Sequence, residues 1–335
     1  MPERPIVKRR RLTVDDYVSG VLSGQRGALA RAITLIESSN PQHEAMAQEV
    51  LRQLLPHSGG SMRLGISGVP GVGKSTFIEA FGTGLCDQGH KVAVLAVDPS
   101  SSRTGGSILG DKTRMSELGV NENAFIRPSP TAGTLGGVAR RTRETMLLCE
   151  AAGYDLIIVE TVGVGQSETT VANMVDFFLV LMLPGAGDEL QGIKKGILEI
   201  ADMIVVNKAD GPNANKARIA VQEYTRALRI VTPRSENWAP PVAYCSALEK
   251  AGLDNIWSLI GQFRSKLQES GEFDERRQRQ QLDWMWAIIE QELISRMRND
   301  PKVRAELADT EQAVADGRLP VRSAASKLLG IFRTE

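Results

Sequence analysis

The sequence is poor in cysteine and histidine, and the spacing of these residues narrows the possible chemistry. Its 335 residues include three cysteines that lie far apart, Cys86, Cys149 and Cys245. Three widely separated cysteines do not make a disulfide framework, so we expect reduced thiols and a cytoplasmic protein. The three histidines do not cluster at metal-ligand spacing, which argues against a transition-metal site.

The sequence also has no excess of positive or negative charge and no long apolar run. Lysine plus arginine equals aspartate plus glutamate at 40 each, so net charge gives no reason to expect nucleic acid or an anionic membrane as partner. We interpret the short basic run Lys8–Arg11 as a solvated arm. No run approaches the ~18 apolar residues of a transmembrane helix, and the first residues lack an apolar signal segment. We therefore expect neither nucleic acid nor membrane as a partner.

The chain divides by pattern into three regions. Thr13–Leu55 shows helical periodicity, with Thr13 and Asn40-Pro41 as helix starts, and residues 1–60 form a predicted N-terminal helical extension. Residues 61–270 alternate between strand-like and helical stretches. Residues 271–335 form a predicted C-terminal helical arm, in which Leu282, Trp286, Ile289, Leu293 and Met297 make one apolar stripe. That stripe could pack on its own core or face a partner.

The central region predicts a doubly wound α/β domain with a mainly parallel sheet. Its short runs are rich in Val, Ile and Leu and apolar on both faces, as in strands covered by helices on both sides. The predicted strands are Met62–Ser67, Val92–Val97, Ala124–Arg127, Leu156–Glu160, Phe177–Leu183, Met203–Asn207 and Val242–Cys245. The predicted helices between them include Gly106–Leu118, Val138–Ala152, Leu190–Ile200 and Ala214–Leu228. Right-handed crossovers place all carboxyl ends of the strands at one edge.

The segment 68–76 lies between the first strand and a helical pattern. It fits G-x-x-x-x-G-K-[ST], the pattern of a phosphate-binding loop. Its glycines let backbone N–H groups surround phosphate, and the helix that follows adds its positive end. Lys74 would contact the β- and γ-phosphates and Ser75 would hold Mg²⁺. The predicted nucleotide contacts are Gly68, Val69, Pro70, Gly71, Val72, Gly73, Lys74, Ser75 and Thr76.

Two later segments predict that the nucleotide is GTP or GDP. Asn207-Lys-Ala-Asp210 follows a strand, and Asp210 would accept hydrogen bonds from guanine N1–H and the 2-amino group. Adenine lacks both donors and would leave this carboxylate unpaired. Asn207 and Lys208 would shape the loop and cover the base. Ser246, Ala247 and Leu248 follow another strand, and we expect a backbone N–H of this segment to reach guanine O6.

Carboxylates at strand ends are candidate magnesium ligands. Asp98 follows the second strand, and Glu160-Thr-Val-Gly163 takes the place of the D-x-x-G pattern of GTPases. We predict that Ser75, Asp98 and Glu160 hold Mg²⁺. Asp111 is a further candidate for a magnesium or γ-phosphate contact, and the Gly163 N–H would meet the γ-phosphate. The predicted catalytic set is Lys74, Asp98, Asp111, Glu160 and Gly163.

The residue after Gly163 predicts slow intrinsic hydrolysis. Ras-like proteins place a water-orienting glutamine there, whereas this chain has Val164, which cannot orient water. Groups supplied in trans can be worth ~10³–10⁵ in rate. A partner that moves nearby loops, or Gln166, could supply the missing group. The glycine-rich stretch Gly185–Gly196 could switch between two conformations or simply connect a strand to a helix.

Taken together, these motifs closely resemble the MeaB/ArgK-type P-loop GTPases, which act as chaperones of adenosylcobalamin-dependent methylmalonyl-CoA mutase. The resemblance rests on GVPGVGKST, VDPSS, ETVGVGQSE, PGAGDELQGIKKG, NKAD and SAL, and extends over nearly the whole chain. It implies GTP hydrolysis that gates cofactor loading or release on the mutase and protects that enzyme from inactivation. It also implies a third switch at Gly185–Gly196 and a homodimer formed through the C-terminal arm.

Two other functions fit a phosphate-binding loop. A nickel metallochaperone of the maturation-GTPase type would need Cys or His ligands near the loop, or a histidine-rich tract, and the sequence has neither. A metabolic kinase or transport ATPase would use ATP, against which Asp210 and the Ser-Ala-Leu segment argue. A mutase-associated GTPase remains the favoured interpretation.

Overall fold

A seven-stranded parallel sheet forms the centre of the protein. The computed structural model describes residues 12–38, 40–97, 115–128, 135–161, 167–185 and 195–332. The strands pair in the order β3-β2-β4-β1-β5-β6-β7, and every pairing is parallel. Their bounds are Met62–Gly68 (β1), Val92–Val97 (β2), Ala124–Pro128 (β3), Leu156–Thr161 (β4), Phe177–Met182 (β5), Met203–Val206 (β6) and Val242–Tyr244 (β7).

Helices precede the first strand, connect the strands and follow the last strand along the chain. Those before and between the strands are Val14–Leu22 (α1), Arg26–Glu37 (α2), Pro41–Leu54 (α3), Lys74–Asp87 (α4), Ser116–Val120 (α5), Leu135–Ala151 (α6), Ser167–Ala172 (α7), Lys195–Ile200 (α8) and Ala214–Leu228 (α9). Those after the last strand are Leu253–Ser270 (α10), Glu272–Asn299 (α11), Pro301–Ala315 (α12) and Val321–Phe332 (α13). Single 3₁₀ turns occur at Leu55–His57 and Gly211–Asn213.

Local sequence chemistry accounts for the predicted helix starts. Thr13 and Asp16 form a reciprocal capping box at the start of α1, in which each side chain accepts from the other residue's backbone N–H. Asn40 accepts from the Gln42 backbone N–H, and Pro41 occupies the first turn of α3, where a missing N–H costs nothing. Both predicted starts are confirmed.

Two hydrophobic cores, one on each face of the sheet, confirm the doubly wound α/β prediction. One core joins α1–α3 with α6, α7 and α9 against side chains such as Ile157 and Phe178. The other joins α4, α5 and α10 against side chains such as Leu64 and Ile158. Every residue of the inner strand β5 is buried, because helices cover it on both sides.

One predicted helix is wrong in part, because a residue within it is not helical. The sequence pattern predicted a helix over Gly106–Leu118, but Met115 is not helical (φ −120°, ψ 67°) and α5 begins at Ser116. The Glu79 carboxylate of α4 accepts from the Glu117 backbone N–H at 2.6 Å, and this long-range contact favours a new start. Residues 106–114 lie outside the described residues, as do residues 190–194 of the predicted helix Leu190–Ile200.

The chain separates into two compact units, residues 1–277 and 278–335. The boundaries that the sequence suggested, at 60 and 270, stay predictions. Within the second unit, α12 packs on α13, and Lys327 pairs with Glu306 at 2.7 Å. Among the described residues, no helix combines the length and apolar character needed to cross a bilayer.

Buried ion pairs line the edge of the sheet where the strands begin. Asp176 precedes β5 and binds Arg277 through both carboxylate oxygens, at 2.7 and 2.6 Å. Asp202 precedes β6, is 2% exposed and pairs with Arg276 at 3.2 Å. Burial raises the pKa of Asp202, and Arg276 opposes that rise. A buried charge without its partner is costly, so these pairs are sensitive points of the fold.

We expect Arg276→Met to lower the free energy of unfolding by ~3 kcal/mol, because it leaves the Asp202 carboxylate buried without its partner. Urea denaturation at fixed protein concentration measures this. The loss should shrink as the pH falls from 8 to 5, because a buried aspartate with a raised pKa can protonate.

The matched control is Arg296→Met, which breaks an exposed pair with Glu292 and should change the unfolding free energy by less than ~0.5 kcal/mol. Equal losses in the two variants would contradict the importance of the buried pair.

Candidate nucleotide-binding site

Gly68 and Gly73 give the loop between β1 and α4 backbone angles that other residues rarely adopt. Gly68 has φ 154°, and a Cβ there would lie 2.6 Å from the Leu181 carbonyl oxygen. Gly73 has φ 94°, and its Cβ would lie 3.0 Å from Asn207 Nδ2. A larger residue at either position would strain the loop or displace its neighbours. The Lys74 ammonium donates to the Gly68 carbonyl at 2.8 Å and so lies over the loop.

Asn207 joins this loop to the segment that follows β7. Its amide nitrogen donates to the Val72 carbonyl at 3.0 Å, and its amide oxygen accepts from the Ala247 N–H at 3.1 Å. The Cys245 thiol also contacts the Asn207 oxygen, at 3.5 Å. Asn207 is 1% exposed, so these bonds form away from solvent, where a lost partner is costly. The loop at Gly68–Thr76 and the loop at Ser246–Leu248 are therefore held together by one side chain.

The other residues of the Asn-Lys-Ala-Asp element also make contacts that shape the site. Lys208 has a left-handed backbone (φ 60°), and its ammonium donates to the Gly71 carbonyl at 2.8 Å. The Ser246 hydroxyl donates to Asp210 Oδ2 at 2.6 Å and accepts from the Glu249 N–H at 3.1 Å. The Asp210 carboxylate is thereby oriented, and it can accept from a ligand that presents adjacent N–H donors.

Two of the three backbone N–H groups in the Ser246–Leu248 loop have protein partners. The Ser246 N–H donates to Ala251, and the Ala247 N–H donates to Asn207. Leu248 has an exposed side chain. Burial raises the pKa of the neighbouring Cys245 to about 12, so this cysteine is a thiol rather than a thiolate at neutral pH. The sequence analysis treated Cys245 only as a reduced thiol and did not place it at this site, for which the one signal is its position at a strand end beside Ser246.

Two carboxylates influence the charge state of Lys74 at the phosphate side. Burial lowers the pKa of Lys74, while the carboxylates of Glu160 and Glu168 act to raise it. Glu160 is half-buried near the end of β4, in register with Ile66 of β1 and Ala96 of β2. Glu168 on α7 is buried. Glu168 is the last residue of the ETVGVGQSE motif, but the sequence analysis assigned it no role.

The predicted magnesium and switch residues are only partly within the described residues. Ser75 lies in the first turn of α4, and Glu160 lies beside the end of β2, where Val97 is opposite Thr161. Asp98, Asp111 and Gly163 lie outside the described residues, as do Val164 and residues 186–194. Within the described ranges no group of three or more His, Cys, Asp or Glu is placed to hold a metal ion.

The fold and the geometry of the site together define the class of protein. A glycine-rich loop between the first strand and its helix, joined through Asn207 to an Asn-Lys-Ala-Asp element, is the arrangement of a P-loop guanine-nucleotide protein. Every predicted base-side residue, from Asn207 to Leu248, lies at the same sheet edge as the loop. That edge is where ligands bind in open α/β sheets.

Comparison with known proteins identifies the family. The chain matches the family described as "Methylmalonyl Co-A mutase-associated GTPase MeaB" over residues 29–302. A probable GTPase of Mycobacterium tuberculosis is 55% identical over 319 residues, which cover 95% of each chain. The GTPase ArgK of Escherichia coli is 48% identical over 96% of this chain and 98% of that protein. A crystal structure of an LAO/AO transport system kinase covers 97% of this chain with a TM-score of 0.79 and 42% identity.

The chain therefore belongs to the family of GTPases associated with methylmalonyl-CoA mutase. It is a GTPase with the P-loop fold, as the sequence motifs predicted.

We expect Asp210→Asn to weaken GTP binding by about 100-fold or more, because it replaces a charged acceptor of guanine N–H groups by an amide. The variant should prefer xanthosine triphosphate, since the amide N–H matches a carbonyl at position 2 of the base. Calorimetric titration with both nucleotides measures the change.

Asp254→Asn is the control, because it removes an exposed carboxylate in the first turn of α10 and should leave both affinities unchanged. Undiminished GTP binding by the Asp210 variant would remove Asp210 from base recognition.

Proposed function

We propose that this GTPase binds GTP and GDP at the carboxyl edge of the sheet. Residues Gly68–Thr76 would surround the phosphates. Asn207, Lys208 and Asp210 would contact the guanine, together with the loop Ser246–Leu248. The observation that carries the proposal is the Asn207 side chain, which binds the Val72 carbonyl on the phosphate side and the Ala247 N–H on the base side. Of the three loop N–H groups, that of Leu248 would serve guanine O6, because the other two have protein partners.

Magnesium would be held beside Lys74. The Ser75 hydroxyl and the Glu160 carboxylate supply the oxygen ligands that Mg²⁺ prefers, and Asp98 would follow directly on β2, whose end lies next to Glu160. When bound, magnesium would offset the negative charge of the phosphates. Lys74 would leave the Gly68 carbonyl to contact the β- and γ-phosphates. Asp111 and the Gly163 N–H would act at the γ-phosphate.

Hydrolysis by the protein alone would be slow. Val164 offers no group that could orient the attacking water. A client protein that rearranges the loops near Gly163 would then raise the rate, as trans-acting groups do in other GTPases. Gly185–Gly196 follows β5 at the same edge, and we infer that it forms a third switch that contacts the client.

The client is methylmalonyl-CoA mutase, which the description of the matched family itself names. In this proposal, the GTP-bound protein associates with the mutase, gates the loading or release of adenosylcobalamin, and protects the enzyme from inactivation. The three cysteines are buried and free, which supports a reducing, cytoplasmic location.

We expect purified methylmalonyl-CoA mutase to accelerate GTP turnover by this protein by roughly tenfold or more, since missing catalytic groups supplied in trans can be worth far more than that. Phosphate release measured with and without mutase tests this, and size-exclusion chromatography tests complex formation.

The Lys74→Ala variant is the control for background phosphate release, because it should bind nucleotide too weakly to hydrolyse it. Unchanged turnover together with no complex on the column would refute the client assignment and leave the GTPase activity standing.

We further propose that the second unit mediates a homodimer. Helix α11 exposes a row of apolar side chains, and exposed apolar rows of this kind mark protein interfaces. They are Leu282, Met285, Trp286, Ile289, Leu293 and Ile294. The spacing puts most of them on one face of the helix, which suits self-association with a second copy.

We expect Trp286→Glu to raise the dimer dissociation constant by roughly 30-fold or more, because a large aromatic side chain at an interface centre commonly contributes this much. Gln291→Glu introduces the same residue on another face of α11 and should leave the dimer intact. Sedimentation equilibrium measures both constants, and a wild-type monomer would refute the proposal.

A further inference from the structure

A buried hydrogen bond between two hydroxyl groups joins β1 to β4 within the sheet. The Thr161 hydroxyl at the end of β4 donates to the Ser67 hydroxyl of β1 at 2.9 Å. Thr161 is 1% exposed and Ser67 is 0% exposed. A hydroxyl group that is buried without a partner is costly, because it loses its hydrogen bonds to water. Each of these two residues therefore depends on the other.

The stability of the fold does not by itself call for this pair. Its neighbours on the same face are apolar: Val159 lies two residues before Thr161 in β4, and Val180 of β5 lies opposite Ser67. Apolar side chains in place of both hydroxyls would leave no polar group unpaired, and such a double exchange can be nearly neutral or stabilising. The place of the bond in the fold therefore indicates what it contributes.

The bond lies where β1 and β4 lead into the nucleotide-binding site. Ser67 directly precedes Gly68, whose carbonyl accepts from the Lys74 ammonium at 2.8 Å. Thr161 directly follows Glu160, which the strand register places beside β1. The two hydroxyls thus tie the last residues of β4 to the residue that precedes the phosphate-binding loop.

The Glu160 side chain lies on the opposite face of the sheet from Thr161, because successive side chains of a strand alternate. Val159 belongs to the core on the Thr161 side, whereas Ile158 belongs to the core that contains residues of α4. Glu160 is therefore on the face that α4 covers, and Ser75 lies in the first turn of that helix. A contact that fixes Thr161 also fixes how the end of β4 is rotated, and with it the direction of the Glu160 carboxylate.

We propose that Thr161 and Ser67 are positioning residues for GTP hydrolysis. Their hydrogen bond holds the end of β4 against the start of the phosphate-binding loop, so that the Glu160 carboxylate keeps its direction toward the phosphate side of the site. Both hydroxyls act through Glu160 and not by contact with the nucleotide. This role rests on the nucleotide and magnesium sites proposed above.

The test compares Thr161→Val and Ser67→Ala with the variant that carries both changes. Two quantities are measured: the single-turnover rate of GTP hydrolysis, and the Mg²⁺ concentration that half-maximally slows release of a fluorescent GDP analogue. Each variant should hydrolyse GTP at least roughly fivefold more slowly and need roughly fivefold more Mg²⁺, because small displacements of a positioned group are costly. The double variant should be no worse than either single variant, since all three lack the same bond.

Two variants serve as controls. Thr161→Ser keeps the hydroxyl and should restore both quantities close to their wild-type values. Thr142→Val removes another buried threonine hydroxyl, which donates to the Val138 carbonyl within α6, and it should match wild type in both. Thermal unfolding separates function from folding, because each single variant leaves one hydroxyl without its partner and should unfold at a lower temperature than the double variant.

Wild-type hydrolysis and wild-type Mg²⁺ dependence in Thr161→Val would overturn the proposal, as would a Thr161→Ser variant that is equally impaired. Recovery of both quantities in the double variant would also overturn it, because the defects would then follow stability. Glu160→Gln distinguishes these failures from failure of the magnesium site, since unchanged Mg²⁺ dependence in that variant would refute the role of Glu160 itself. Wild-type protein that does not bind GDP would refute the nucleotide site.

Discussion

The site depends on two hydrogen bonds made by one buried amide. Asn207 donates to Val72 and accepts from the Ala247 N–H, so the loops on the phosphate side and on the base side have a common support. Lys208 adds a second link through the Gly71 carbonyl. A ligand that spans the two loops therefore meets a site whose halves already have a defined separation. Binding then costs less ordering than it would between independent loops.

Charge is distributed differently at the two edges of the sheet. Where the strands begin, Asp176 and Asp202 each have a buried arginine partner and serve stability. Where the strands end, the negative charges of Glu160 and Glu168 act to raise the pKa of Lys74. A bound phosphate would contact the same lysine. Buried carboxylates thus stabilise the fold at the edge where the strands begin.

Much of the fold was predictable because the relevant signals are local. The strands are apolar on both faces, and their observed ends fall within two residues of the predicted ones. Thr13 and Asn40 mark helix starts through bonds to residues two or three positions away. The course around Met115 was not predictable, since Glu79, distant in sequence, favours the start of α5. The burial of Glu168 was not predictable for the same kind of reason, because it follows from the packing of α7 in the fold.

The sequence by itself determined the chemistry available: a glycine-rich loop with Lys74 and Ser75, an acid at 210, and strands with the composition of a covered parallel sheet. These features depend on residue types at short spacings, which can be read directly from the sequence. Only the tertiary structure decided which groups meet. The strand order β2-β4-β1-β5 places the end of β4 next to β1, which leads into the loop that carries Lys74. The same fold brings Asn207 to a carbonyl 135 residues away. Such meetings depend on how the whole sheet packs, and no short stretch of sequence encodes them.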